Sequence, residues 1–129
     1  MTTPILCVLL AWLMAYLPKI PLSVAMARQP EGYDNLHPRA QQDKLSGFGA
    51  RARGAHLNSF EVFPPFAAAV IIAHITGADA SHAAVLSVTF VVSRALYVLT
   101  YLLNLGTVRS ALWGVGMLAI LGLFLLPLA

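Results

Sequence analysis

Charged side chains are scarce in this sequence. Lysine, arginine, aspartate and glutamate together make up 10% of the 129 residues, whereas a soluble domain carries roughly a quarter. Apolar residues account for 59% of the chain instead. A soluble core of this size could not hide so much apolar surface from water. The composition therefore excludes an ordinary soluble domain and indicates helices that lie in a membrane.

Cysteine is almost absent, because Cys7 is the single example. It cannot form an internal disulfide and has no nearby second ligand for a metal ion, so we expect it to pack as a small apolar residue. No metal site is predicted, because the histidines are scattered without the spacing of metal ligands: His37, His56, His74 and His82. The cations are not interleaved with stacking aromatic residues, which argues against nucleic acid as a partner.

Four stretches are long and apolar enough to cross a bilayer, at about 20 residues for each helical crossing. We predict an all-α, integral membrane four-helix bundle with a single domain over residues 1–129 and helices at about 2–27, 50–77, 81–104 and 107–127. Pro18 and Pro21 are expected to kink the first helix, and the Pro64-Pro65 pair is expected to bend the second. The polar stretch 28–49 is the long loop.

The first apolar stretch also resembles a secretory signal peptide. The triplet Ala25-Met26-Ala27 has the small residues of a cleavage site. The first cation, Lys19, follows the apolar stretch instead of preceding it, however, and a basic leading segment is missing. We therefore favour a retained helix.

Basic residues predict the orientation of the chain in the membrane. Six of the eight lie in or beside the first connection, Arg109 follows the third, and the turn at Asp79 has none. By the positive-inside rule, the first and third connections face the cytoplasm and both termini face the other side. In a bacterium this would be the inner membrane, with anionic lipid headgroups as partners of the basic loop.

A polar stripe crosses the third apolar stretch. Arg94, Tyr97, Tyr101 and Asn104 are spaced so that a helix would project all four from one face. An arginine at membrane depth is expensive and usually functional. We predict that this stripe is buried inside the bundle and marks the working site.

The second helix carries a complementary set of polar residues. Helical geometry places Arg51, Gly54, Asn58 and Glu61 on one side and turns His56 away from them. Glu61 lies in the apolar part of the chain, where Arg94 is the cation at comparable depth, so we predict that the two pair. The alternative is a purely structural salt bridge. The surplus of polar groups around the pair favours a ligand pocket.

The fourth helix begins with a third set of candidates. Arg109 and Ser110 stand at its cytoplasmic start, on the same membrane side as Arg51. Together the arginines could receive an anionic ligand, although a snorkelling interfacial arginine is an equally plain explanation. We expect Trp113 to face lipid or to serve as an interfacial anchor. Small residues on this helix predict close packing against a neighbouring helix: Ser110, Gly114, Gly116 and Gly122.

The order and spacing of these residues resemble those of a known family. The pattern Asn58-x-x-Glu61-x-x-Pro64-x-Phe66, then Arg94-x-x-Tyr97-x-x-x-Tyr101, then Arg109-Ser110, is similar to that of the MAPEG superfamily, the membrane-associated proteins in eicosanoid and glutathione metabolism. The resemblance implies a four-helix protomer in a homotrimer, with glutathione as co-substrate between subunits. It further implies that Asn58 and Glu61 hold the glutathione backbone, and that Arg94, Tyr97 and Tyr101 line the same pocket. Arg109 would lie by the thiol, with Ser110 beside it and Arg51 as a further cation.

The function expected from this resemblance is that of a glutathione-dependent transferase or peroxidase acting on hydrophobic electrophiles or lipid hydroperoxides. Two alternatives remain, a non-catalytic membrane protein that binds a lipid and a purely structural helix bundle. Relatives often carry additional arginines where this chain has Gly54 and Leu57, and this difference favours the first alternative. Arg109 and the Asn58/Glu61 pattern favour the enzyme.

Overall fold

The computed structural model describes residues 1–128, and this part of the chain is helical with no strand. The helices are α1 (Thr3–Tyr16), α2 (Lys19–Ala27), α3 (Pro38–Asp43), α4 (Gly47–Ile75), α5 (Ala80–Leu102) and α6 (Gly106–Leu125), followed by a 3₁₀ turn at Leu126–Leu128. Four segments are long and apolar enough to cross a membrane: Thr3–Ala27, Gly47–Ile75, Ala80–Leu102 and Gly106–Leu128. The predicted all-α membrane fold is confirmed.

The first crossing is divided where a kink was expected. Pro18 has no backbone N–H, so the α1 ladder cannot continue through it, and the Leu17 N–H closes the helix on the Met14 carbonyl at 3.2 Å. The chain resumes at once as α2, with Pro18 buried at its start. The two short helices together still span residues 3–27.

The loop from 28 to 46 is more ordered than the sequence suggested. It contains α3, which Pro38 opens at the first helical turn, where the missing N–H does no harm. Gln41 of α3 ties the loop together: its Nε2 donates to the Gly32 carbonyl at 2.6 Å, and its Oε1 accepts from the Asp34 N–H at 3.0 Å. The loop is therefore held in one conformation by hydrogen bonds among its own residues.

Helix α4 begins at Gly47, three residues before the expected start near Ala50, with Ser46 at the N-cap position but without a capping hydrogen bond from its side chain. It continues through Pro64 and Pro65 as one helix. Its end is a Schellman motif in which Gly77 adopts a left-handed φ of +71° and the Ala78 N–H reaches the Ala73 carbonyl at 3.0 Å.

The end of α5 differs from the prediction. The helix stops at Leu102, and Asn104 adopts a left-handed φ of +62°. The Leu105 N–H then bonds the Thr100 carbonyl at 2.9 Å, which completes a Schellman motif. Asn104 therefore ends the helix, and Gly106 is the first residue of α6, one residue before its expected start.

The core joins α4, α5 and α6 near the middle of the bundle. Phe66 and Phe90 stack at 3.9 Å between ring centroids, and Cys7 packs into the same cluster with 4% exposure, as expected of a small apolar residue. Two of the glycines on α6 allow close approach to α5: a Cβ at Gly116 would lie 3.1 Å from Ser93 Oγ, and one at Gly122 would lie 3.2 Å from Leu86. Tight α5–α6 packing brings the start of α6 beside the polar end of α5.

Candidate functional site

Two tyrosine rings lie between two guanidinium groups where the polar end of α5 meets the start of α6. Arg94 and Tyr97 are each 5% exposed, and the Arg94 guanidinium carbon lies 3.9 Å from the centre of the Tyr97 ring. Tyr97 meets Tyr101 edge to face at 5.5 Å. Arg109 of α6 then lies over the Tyr101 ring at 4.4 Å. Each cation thus rests on the negative face of a ring, which partly offsets its removal from water.

The predicted direct pair between Glu61 and Arg94 was wrong. Within residues 1–128, no ion pair joins their side chains. Arg94 Nη2 donates to Asn58 Oδ1 at 3.0 Å, and Asn58 Nδ2 donates to Glu61 Oε2 at 3.0 Å. Asn58 lies one turn before Glu61 on α4 and reaches the guanidinium first, so its amide relays between the two charges. Glu61 itself is exposed on the surface of the chain.

A cavity of about 230 Å³ opens beside these groups. Its walls come from three helices, α4, α5 and α6, and its lining residues are Asn58, Tyr97, Tyr101, Arg109, Ser110 and Trp113. The Ser110 hydroxyl donates to the Gly106 carbonyl at 3.1 Å, within its own helix. Trp113 was expected only as an interfacial anchor. Its spacing of four from Arg109 was the available signal that it would share this face of α6.

Arg51 lies at the edge of the site. Its Nε donates to the Leu102 carbonyl at 3.2 Å, one of the carbonyls that the end of α5 leaves without a partner in the helix. Its guanidinium carbon lies 6.0 Å from the centre of the Phe48 ring. Arg51 therefore attaches the start of α4 to the end of α5 and lies outside the cavity lining. Its predicted part in ligand binding stays a prediction.

Asn104 does not belong to the stripe, contrary to expectation. Because its backbone has left the helix at a positive φ, the side chain no longer follows the spacing of Arg94, Tyr97 and Tyr101. It is exposed in the turn before α6. The stripe thus consists of three residues on α5, extended by Arg109 from α6.

His56 turns away from the stripe, as expected, but it is buried. Its Nδ1 lies 3.2 Å from the Ala15 carbonyl, and its ring meets Phe60 edge to face at 5.1 Å. His56 therefore holds α1 against α4.

Gly54 faces Tyr101 so closely that no side chain would fit between them. A Cβ built on Gly54 would lie 2.7 Å from Tyr101 Cζ and closer still to the hydroxyl oxygen. The sequence identified Gly54 only as a missing cation. Nothing in the local pattern could reveal the contact, since the two residues meet only through the packing of α4 on α5.

The cavity combines a cation, hydrogen-bonding groups and aromatic rings. Arg109 lines it, the Asn58 amide connects it to Arg94, and two phenol rings and an indole provide flat apolar walls. Among the described residues, no group of three or more His, Cys, Asp or Glu side chains could hold a metal ion. The groups available are donors and cations suited to a small, negatively charged molecule that also has apolar parts.

Comparison with known proteins agrees with this architecture. The family model described as "MAPEG family" matches residues 3–129. No curated protein and no solved structure gives a significant match. With its four membrane-crossing helices, this chain therefore belongs to the MAPEG family of membrane proteins in eicosanoid and glutathione metabolism.

Proposed function

We propose that this protein is a membrane-bound, glutathione-dependent transferase or peroxidase that acts on hydrophobic electrophiles or lipid hydroperoxides. The observation that carries the proposal is the cavity in which Asn58, Tyr97, Tyr101 and Arg109 converge from three helices. A structural bundle has no need for an arginine and two tyrosines around an open cavity. Family membership supports glutathione as the co-substrate.

In this proposal, each polar group of the site has a part in binding glutathione. Asn58 and Glu61 would hold its peptide backbone and ammonium group, because the Asn58 amide has both a donor and an acceptor and the Glu61 carboxylate is exposed. Arg94, Tyr97 and Tyr101 would line the same pocket, and Arg51 would supply a cation at its edge. Ser110 would lie beside the thiol as a hydroxyl partner.

Arg109 is the residue assigned to the reaction. A free thiol has a pKa of about 8.5, so little of it is ionised at neutral pH, and a neighbouring cation favours the thiolate. For a transferase, the thiolate sulfur forms a bond to the electrophilic carbon and the leaving group departs with the electron pair. For a peroxidase, the sulfur attacks the O–O bond to give an alcohol and a sulfenic acid, which a second glutathione converts to disulfide and water.

A homotrimer would explain the position of Glu61. The residue lies midway along α4 (Gly47–Ile75), a membrane-crossing helix, yet its side chain is exposed in the single chain. A carboxylate facing lipid at that depth is costly. A second copy packed against α4, with glutathione between the subunits, would place the carboxylate among polar groups.

The test is calorimetric titration of glutathione into the detergent-purified protein, followed by thiolate absorbance in the ultraviolet and turnover with an aryl halide. Saturable binding with a thiolate signal and turnover supports the enzyme. Binding without a thiolate signal and without turnover supports the alternative that the sequence left open, a non-catalytic binding protein. Absence of binding at millimolar glutathione rejects both the co-substrate and the reaction proposed for it.

A further inference from the structure

The contact between Gly54 and Tyr101 is closer than any substituted residue would permit. A Cβ at position 54 would meet Tyr101 Cζ at 2.7 Å and Cε1 at 3.2 Å, with the hydroxyl oxygen nearer than either. Carbon atoms in ordinary van der Waals contact are separated by about 3.5–4.0 Å. The present position of Tyr101 and a side chain at residue 54 therefore exclude each other.

Tyr101 cannot move away without disturbing other groups of the site. One side of the ring is fixed by Tyr97, which meets it edge to face at 5.5 Å and is itself 5% exposed. The face of the ring carries the Arg109 guanidinium at 4.4 Å. A ring displaced from Gly54 would withdraw the aromatic surface on which Arg109 rests.

We infer that Gly54 is a positioning residue of the glutathione site. Because residue 54 has no side chain, the Tyr101 ring has room to lie where it supports Arg109. The guanidinium is thereby fixed beside the position assigned to the thiol. This inference rests on the function proposed above and adds to it a second part of the machinery, on a different helix. The glycine acts through Tyr101 and Arg109, and it does not itself touch the ligand.

The experiment compares four variants of the full-length protein with wild type in detergent. Gly54→Ala introduces the conflict, Tyr101→Leu removes the ring, and the double variant combines them. Gly106→Ala is the matched control, because it makes the same change at a helical glycine whose added Cβ would meet nothing within 4 Å. For each protein, one measures the thermal unfolding midpoint without ligand, the apparent pKa of the bound glutathione thiol, and kcat and KM with an aryl halide.

Gly54→Ala is expected to raise the apparent pKa of the bound thiol by about one unit, and so to lower the thiolate fraction and the turnover at neutral pH by up to roughly tenfold. KM for glutathione should change less than kcat, since Asn58 and Glu61 still hold the tripeptide. Tyr101→Leu should have a similar effect. Adding Gly54→Ala to Tyr101→Leu should change little further, because the atoms that would conflict are gone. Gly106→Ala should behave as wild type.

Two results would overturn the inference. One is a Gly54→Ala protein that matches Gly106→Ala in both thiol pKa and unfolding midpoint. The other is additivity of the Gly54→Ala and Tyr101→Leu effects, which would mean that the residues act independently. If Gly54→Ala fails to fold, the double variant should restore folding, and a failure to do so also rejects the inference.

The ligand-free unfolding midpoints separate this inference from the proposed function. If wild type shows no thiolate signal with glutathione, the proposed reaction fails whatever the variants do. The unfolding midpoints of wild type, Gly54→Ala, Tyr101→Leu and the double variant then still form a double-mutant cycle for Gly54 and Tyr101. Coupling between them supports the steric contact, and its absence overturns it.

Discussion

Arg94 is an arginine held in the interior of a membrane-crossing helix bundle. It is 5% exposed and depends on two groups, the Tyr97 ring beneath it and the Asn58 amide at 3.0 Å. A buried cation that loses its partner is strongly destabilising, because its desolvation is no longer compensated. We therefore expect loss of the Asn58 side chain to lower the free energy of unfolding strongly.

Asn58→Ala should lower the free energy of unfolding by about 1.5–3 kcal/mol, the range for a hydrogen bond to a charged group. In an Arg94→Gln background the same change should cost clearly less, because no buried cation is left without a partner. Glu61→Gln should be milder than Asn58→Ala, since Glu61 is exposed and reaches Arg94 only through the amide. Denaturant titrations of wild type, Asn58→Ala, Arg94→Gln and their double variant in detergent measure the coupling, and Glu61→Gln is titrated in the same way. Equal effects in both backgrounds would show that the 3.0 Å contact contributes nothing.

Arg109 is the residue on which catalysis should depend. Arg109→Leu is expected to raise the apparent pKa of the bound thiol and to move the rate profile toward higher pH, with less loss of glutathione affinity than Glu61→Ala. Arg53→Leu is the control for charge, because Arg53 pairs with Asp43 away from the cavity. Thiolate absorbance during a pH titration gives the readout. An unchanged thiol pKa in Arg109→Leu would show that Arg109 does not stabilise the bound thiolate.

At the scale of the helices, the end of α5 determines how α6 approaches the site. Asn104 adopts a φ of +62°, which glycine tolerates best and a β-branched residue tolerates poorly. Asn104→Gly should therefore leave the protein as stable or slightly more stable, whereas Asn104→Val should lower stability by about 1–2 kcal/mol. Thermal unfolding tests both. Glutathione affinity should not change in Asn104→Gly. A large loss of affinity would show that the Asn104 side chain contributes to ligand binding.

The start of α5 should be sensitive to acid. Asp79 Oδ1 accepts the His82 backbone N–H at 2.8 Å, and this bond holds the pKa of Asp79 below its ordinary value. A carboxyl whose pKa is lowered on folding stabilises the protein above its ordinary pKa, and this contribution is lost as pH falls through the lowered value. Asp79→Ala should thus reduce the unfolding midpoint at neutral pH and converge with wild type in acid. Glu31→Ala, which removes an exposed acid from the loop, is the control for the loss of one negative charge.

The helices could be predicted from the sequence because membrane burial imposes their length and apolar character residue by residue. The stripe of Arg94, Tyr97 and Tyr101 was predicted for the same reason, since helical spacing alone places them together. Contacts between helices could not be predicted. Whether Asn58 or Glu61 reaches Arg94, and whether Gly54 faces Tyr101, depends on how α4 is rotated and shifted against α5. That rotation is set by packing such as the Phe66–Phe90 stack, which local patterns do not encode.

At the scale of the whole molecule, basic residues and the cavity lie at the same end of the bundle. Arg51, Arg53 and Arg109 lie near the connections before α4 and between α5 and α6, and these are the two connections that the positive-inside rule predicts to face the cytoplasm. Glutathione is a water-soluble anion, so a site at the cytoplasmic edge could be reached from solution. A hydrophobic electrophile would instead arrive through the membrane.

Orientation can be tested with single cysteines in a Cys7→Ala background, in which the native thiol is removed. A cysteine at Asn35, in the loop between α2 and α3, should be shielded from an impermeant thiol reagent in intact cells and labelled after lysis. One at Ser81, at the exposed start of α5, should be labelled in intact cells. The opposite pattern would reverse the topology. It would also place Arg109 and the cavity away from the cytoplasm, where a site for cytosolic glutathione could not work, so this measurement bears on the reaction as well as on the fold.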